Sequence, residues 1–353
     1  MNRSRFVSRA GVLVVAVFTL AIPAALAGAD ESKPIVLKLG TVAPSGSSYH
    51  RALLDLASKW KSVPGGAGLR IFPGGIAGGE SEMIRKMKIG QIDAALITAN
   101  GMADIDPAVQ SLQAIPMLFR SLDEVDYVTS VLHPKLDKRL RDRGFVALVW
   151  LDAGWVRFFS KSPIDHPADL KKLKVFCWAG DTQSFDLYKS AGFQPVALET
   201  NDILPMLRTG MIAAVALIPQ MALSSQIFTA TPHMLELKWA PLVGALVVTE
   251  RAWNRLTPAA QTAMAVAAAE VGRQLKEANR AESDAAIVAM QKRGLHVSLT
   301  TPVTEAEWRK AAEVSYPRIR GGLVPADFFD EVQRLLVQYR ASHPATAVPA
   351  GPH

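Results

Sequence analysis

The alternation of apolar and polar positions sets out one succession of elements twice. Residues 35–41 (IVLKLGT) predict a strand, and the turn residues APSGSS then lead into a helix over 48–61 whose Leu53, Leu56, Ala57 and Trp60 recur at helical spacing. VPGGAG is a loop, LRIF a second strand, and PGGIAGG a glycine-rich turn into a helix over 80–89. Gly90 stops that helix as a left-handed cap, and 92–97 predicts the third strand. The second succession has strands at 174–178, 195–198 and 212–218, with helices over 182–190 and 202–209 between them, the latter stopped by Gly210. MIRKMKIGQIDAALI around Gly90 and LPMLRTGMIAAVALI around Gly210 share a helix, a glycine, an isoleucine and a small-residue strand. Alternating β and α elements predict parallel sheets, so the fold class is α/β, with two similar lobes and a cleft between them.

A strand over 243–249 precedes a long helical pattern over 258–293, with Thr257 as its cap, Pro258 at the favoured first position and Gly294 at its close. Met264, Ala268, Val271, Leu275, Ala278, Ala281, Ala285 and Val288 form the expected apolar stripe. At 1.5 Å per residue this helix runs ~54 Å, more than the width of one domain, so it is expected to lie across both lobes. Gly272 would mark a bend in it. HVSLTT predicts another strand, TEAEWRKAAE and PADFFDEVQRLLVQYR two more helices, and 341–353 a disordered tail. The expected lobes are 35–153 with 243–283 and 154–242 with 284–340, joined by a hinge where the chain crosses near 152–155 and 239–243.

With 353 residues and an apolar fraction of 49%, the chain can build two domains with substantial cores. Residues 1–27 carry Arg3, Arg5 and Arg9, then an apolar run ending in Ala25-Leu26-Ala27, which reads as a cleaved secretory signal. Pro23 and the small-residue site end that run short of the ~20 residues of a spanning helix. Loss of its three arginines lowers the formal net charge from +7 to +4. That mild excess, with no dense Lys/Arg stretch, excludes a nucleic-acid footprint, and RLRDRG at 139–144 reads as a solvated helix end. Cys177 is the single cysteine, so no intramolecular disulfide is available, and a buried strand position is the simpler reading of it.

The stretch GWVRFFSKSPIDHPADLKKLKVFCWAGD, starting at Gly154, is where the chemistry concentrates. Ligands of α/β sheets collect beyond the carboxyl ends of the strands, which places Trp178, Ala179, Gly180 and Asp181 beside a small molecule. Phe176 and Trp178 point to one side of their strand; the first reads as core, the second equally as a ligand wall. Arg157, among Trp155, Phe158 and Phe159, is either a surface arginine packed on Trp155 or a cleft cation. The GGIAGGE turn is a tight turn more readily than an anion cradle, since Glu80 and Glu82 would repel the anion. No GxSxG, HExxH, Walker loop or CxxC occurs and the seven histidines are scattered, so the expectation is no enzyme, no metal and no cofactor.

From about Leu37 to Arg340 the chain resembles the solute receptors of tripartite ATP-independent periplasmic (TRAP) transporters. The resemblance rests on LKLGTVAPSGSSYHRA, RIFPGGIAGGESEMIRKMKIGQIDAA, AIPMLF, SKSPIDHPADLKKLK, the succession AGFQPVAL, DILPMLRTG and IAAV, and ERAWNRLTPAAQ. It implies the two-lobed periplasmic binding protein fold with a hinge and a spanning helix. It implies a ligand site drawn from Ser47, Ser48, Tyr49, Asn100, Arg157, Phe176, Trp178, Asp181, Gln220 and Trp239. The family usually places an arginine that clamps the ligand carboxylate at the position of Phe176, and often an aspartate at that of Ala213; both are absent here. Arg157, at a further basic position of some members, becomes the expected cation. The implied function is a monomeric periplasmic receptor that closes on a small organic anion, a hydrophobic or aromatic acid being one candidate, and delivers it to TRAP membrane permease subunits. The alternatives are a ligand-presenting sensor for a membrane kinase and an exported enzyme.

Overall fold

The computed structural model describes residues 34–343. The expected leader at 1–27 and the tail beyond 343 lie outside the described residues; within them, no helix is long and apolar enough to cross a membrane. Among the described residues nine strands form the sheet: β1 (Val36–Thr41), β2 (Gly68–Phe72), β3 (Ala94–Thr98), β4 (Phe145–Ser160), β5 (Lys174–Trp178), β6 (Gln194–Leu198), β7 (Ala214–Leu217), β8 (His233–Thr249) and β9 (His296–Leu299). Their order is β2-β1-β3-β8-β4-β7-β5-β6, with β9 pairing on β8. The predicted repeats are the two ends of this path. In each, the first strand lies between the second and the third, all parallel, so β2-β1-β3 and β6-β5-β7 are built alike.

The two blocks are joined by β4 and β8, of 16 and 17 residues, which run antiparallel to each other. Strands of ordinary length have ~5–6 residues; these two are long because each serves both lobes. The half of β8 around Val248 pairs with β3, and the half of β4 around Phe159 pairs with β7. Between them the ladder slips its register from Asp152↔Val243 to Trp155↔Pro241, a bulge at the expected crossing. The expected strand at 243–249 is thus the second half of a longer one. The first half, HMLELKWAP, alternates Leu235, Leu237 and Trp239 with Glu236 and Lys238, the period-2 signature of a strand with one buried face.

The helix Pro258–Gln291 packs on β4, on the helix Ser48–Lys61 and on the short helix Pro219–Ser224. Met264, Ala268, Val271 and Leu275 complete the core of the first lobe, and Met290 joins that of the second. The expected stripe is right as far as Leu275 and then fails: Ala278, Ala281, Ala285 and Val288 are exposed, and Asn279, Ala286 and Met290 are buried. A stripe read at 3.5-residue spacing drifts around a straight helix, and the buried positions instead recur at 11 residues, Met264 to Leu275 to Ala286 and Ala268 to Asn279 to Met290. Gly272 marks close packing: a Cβ there would collide with Val149 Cγ2 of β4. The last helix, Ala326–Ser342, runs past the point at which the disordered tail was expected to begin.

Candidate functional site

Because both blocks are parallel and face each other across β4 and β8, the carboxyl ends of their strands converge. Thr41 of β1, Ile97 and Thr98 of β3, Cys177 and Trp178 of β5 and Leu217 of β7 line one cavity of about 590 Å3, within the ~300–1,000 Å3 range of small-molecule sites. Its walls are largely apolar and aromatic. Phe176 meets Trp178 edge to face at 4.7 Å between ring centres, and Trp239 packs on Phe158 at 5.2 Å. The lobes touch beside the cavity: Asn201 Nδ2 donates to the Gly74 carbonyl at 3.4 Å, and a Cβ on Gly180 would stand 2.5 Å from Ser81 Oγ.

Of the residues expected at the site, Ser47, Ser48, Tyr49, Asn100, Phe176, Trp178, Asp181, Gln220 and Trp239 all line this cavity. Arg157 does not, and the expectation of a cleft cation there is corrected. Neighbouring strand positions face opposite ways; Val156 lines the cavity, and Arg157 is turned away from it, 4% exposed. Its Nη2 donates to Glu236 Oε1 at 2.6 Å, and its Nε and Nη1 have no partner among the described residues. It is neither the surface arginine nor the ligand clamp. Phe176 is both core and wall: 5% exposed, clustered with Ile203, Leu207 and Val215, yet part of the cavity lining.

The polar residue missed from the sequence is Asn279. Wholly buried on the long helix, it donates from Nδ2 to the Tyr49 hydroxyl at 2.7 Å and accepts from Ser48 Oγ at 3.4 Å, while Gln220 Nε2 donates to its carbonyl at 2.8 Å. Ser48 and Tyr49 belong to the first lobe and Gln220 to the second, so the long helix ties the two together at the cavity. The signal was the single polar residue in the 11-residue stripe. Burial raises the Tyr49 pKa far above its ordinary value, with Asp152 and Glu282 adding to the shift. The phenol therefore stays protonated and, already accepting from Asn279, has its proton to give to a ligand oxygen.

A second clasp sits at the bulge between the two halves of β4. Asp152, at the bulge and 4% exposed, accepts from Arg280 Nη2 at 2.9 Å and lies 3.6 Å from Lys276 Nζ; both cations also pair with Asp126. The remaining ionisable groups of the cavity are mostly acids. Glu80, Asp181 and Glu282 line it with Asp152, and Arg51, largely exposed, is the one basic side chain in the lining among the described residues. Glu80 is half-buried and accepts from the Thr98 amide at 2.8 Å and its hydroxyl at 2.6 Å; desolvation is the largest influence on its carboxyl and raises the pKa. Asp181 caps the helix Thr182–Ser190 through Oδ1, which accepts from the Ser184 amide at 2.9 Å.

Burial pushes the Cys177 thiol up to about 12, with Asp181 adding to the shift. Since the thiolate is the reactive form, the native protein at mildly alkaline pH should resist a disulfide reagent that labels the urea-unfolded chain at once. Rapid native labelling would show that the wall around Cys177 opens freely. Among the described residues no group of His, Cys, Asp or Glu is arranged to hold a metal ion.

Residues 39–320 match the family described as bacterial extracellular solute-binding protein, family 7. The chain belongs to this family. Among curated relatives of this family-7 protein, an uncharacterized protein of Haemophilus influenzae is 26% identical over 290 residues, 81% of this chain and 85% of that one. The 2,3-diketo-L-gulonate-binding periplasmic protein YiaO of Escherichia coli is 25% identical over 240 residues, 65% of this chain and 70% of that one. The fold matches a TRAP periplasmic solute-binding protein from Ralstonia eutropha, solved with (S)-2-acetolactate, at a TM-score of 0.80 and 18% identity over 86% of this chain and 99% of that one. A second, from Xanthobacter autotrophicus with β-D-galacturonate, matches at 0.78 and 18% over 85% and 99%. The receptor thus has the two-lobed α/β fold expected from its sequence repeats.

Proposed function

We propose that this family-7 receptor closes its lobes on a small organic acid with an apolar body and delivers it to TRAP membrane permease subunits. The observation that carries this reading is the cavity built from the carboxyl ends of both parallel blocks, whose walls come from both lobes and which only closure could complete. The acids held by its structural neighbours and the sugar acid in the name of YiaO support the ligand class. Here the usual arginine is Phe176, so oxygen atoms of the ligand meet the Tyr49 hydroxyl and Arg51 at the rim, and Phe176, Trp178 and Trp239 pack on its body.

In this reading residues 1–27 export the chain to the periplasm, and it works there as a monomer without cofactor or turnover. The lobes are 35–153 with 243–283 and 154–242 with 284–312; the last helix, expected in the second lobe, instead buries Phe328, Phe329, Val332 and Leu336 in the core of the first beside Leu132 and Leu136. The hinge is the bulge at Asp152, where β4, β8 and the long helix cross. Small molecules released from the denatured protein identify the ligand by mass spectrometry. Small-angle scattering should then show the radius of gyration falling when that compound is returned to the stripped protein. Equal radii with and without a compound shown by calorimetry to bind would rule out closure.

A further inference from the structure

A second cavity of about 330 Å3 lies beside the first, and the two share Val42, Glu80, Asn100, Trp178 and Asp181. Its ionisable lining is wholly acidic: Glu80, Glu82, Asp104, Asp181 and Glu199, with no Lys, Arg or His among the described residues that line it. Glu82 is answered from outside by Lys86 Nζ at 2.9 Å, and Glu80 by Thr98. Asp104, Asp181 and Glu199 form no ion pair among the described residues.

Two further observations show what these acids lack. Gln110, 2% exposed, lines the same cavity with its Oε1 unpartnered, and Asp181 Oδ2 is likewise buried without a donor. Unmet buried acceptors are costly, and the Gln110 oxygen beside three unpaired carboxylates, one of them Asp181 with its buried Oδ2, calls for a group that is cationic and rich in donors. No three of the acids are arranged to hold a metal ion, whereas an ammonium brings three donors on one compact charge. Trp178, in the wall common to both cavities, offers an aromatic face of the kind that attracts such a cation.

We infer that the second cavity is an ammonium subsite, so that the receptor's ligand is an organic acid bearing a protonated amine, its apolar body beside Trp178 and its amine between the lobes. This rests on the receptor reading above and narrows it. The carboxylate remains in the first cavity near Tyr49 and Arg51, and the amine end meets carboxylates from both lobes, Asp104 from the first and Asp181 and Glu199 from the second.

The test uses pairs of acids of one skeleton with and without an amine at the end remote from the carboxylate: valerate and δ-aminovalerate, caproate and ε-aminocaproate, 4-methylbenzoate and 4-(aminomethyl)benzoate. Each is titrated by calorimetry into ligand-stripped protein. At least one amine-bearing member should bind roughly tenfold or more tightly than its amine-free partner, as a charged hydrogen bond predicts. Glu199→Gln, outside the first cavity, should shrink that preference without weakening the amine-free acid, and Asp181→Asn, which keeps the Oδ1 cap, should independently shrink it. Amine-free acids that bind as tightly as their partners would overturn the subsite and leave the receptor reading standing. Binding of no compound in either series would overturn both. A variant that weakens both members of a pair alike would make its carboxylate structural and count against the subsite.

Discussion

Glu236→Ala should lower the unfolding free energy by about 3 kcal/mol, toward the lower end of the ~3–5 kcal/mol for stripping one partner from a buried ion pair. The change leaves the Arg157 guanidinium, with 5% of its side chain exposed, without the one carboxylate it touches, and its Nε and Nη1 already have no acceptor. Arg157→Met, by contrast, removes the buried charge, fills much of the same space and leaves Glu236, 30% exposed, within reach of water. It should unfold within ~1 kcal/mol of the parent, since replacing a buried charge by an apolar side chain is often neutral. Urea unfolding of both variants reads the difference. Ligand affinity in Arg157→Met should match the parent, because the side chain is not in the lining. A tenfold loss of affinity would return Arg157 to the cleft.

Gly244→Ala should cost at least as much, ~3 kcal/mol or more, and lower the yield of soluble protein. Gly244 of β8 pairs with Thr98 of β3 on one side and Leu151 of β4 on the other, so it sits where the first block joins the shared strands. A Cβ there would stand 2.5 Å from the Ile97 carbonyl oxygen. A side chain can step aside, but a carbonyl in a paired strand moves only if the ladder moves, which puts the cost at the top of the ~1–3 kcal/mol usual for overpacking or beyond it. An unchanged melting temperature would mean that β3 and β8 part more easily than their continuous register implies.

The parallel blocks were legible because each is local: strand, helix and capping glycine follow within a few tens of residues, and Gly90 and Gly210 take the left-handed conformation assigned to them. The shared strands were harder to read because their pattern changes partway. Residues 145–160 pass from an apolar run through the Asp152–Gly154 bulge to an aromatic run, and no single period covers both halves. Nine of the ten expected site residues line the cavity, since strand ends and the turns after them are marked by small and polar residues. Arg157 failed for a physical reason: only its partner, Glu236, distant in sequence and brought near by β8, reveals that its charge is spent inside the lobe. Asn279 was hidden by a stripe counted at the wrong spacing, and Asp104 and Glu199 by their position in turns of different lobes that only tertiary structure sets face to face.

The pairing of β3 with β8 places Ala94 opposite Val248, and this sets a timetable for the newborn chain. The first parallel block emerges early but cannot bury the edge of β3 until the remainder of the second lobe's repeat has been made and β8 has arrived. Contacts so distant along the chain slow folding and leave an unpaired strand edge exposed while they wait. A truncation anywhere before Thr249 therefore yields a sticky fragment, not half a receptor. A chain with this threading gains from being carried unfolded, in one piece, to the place where it will fold.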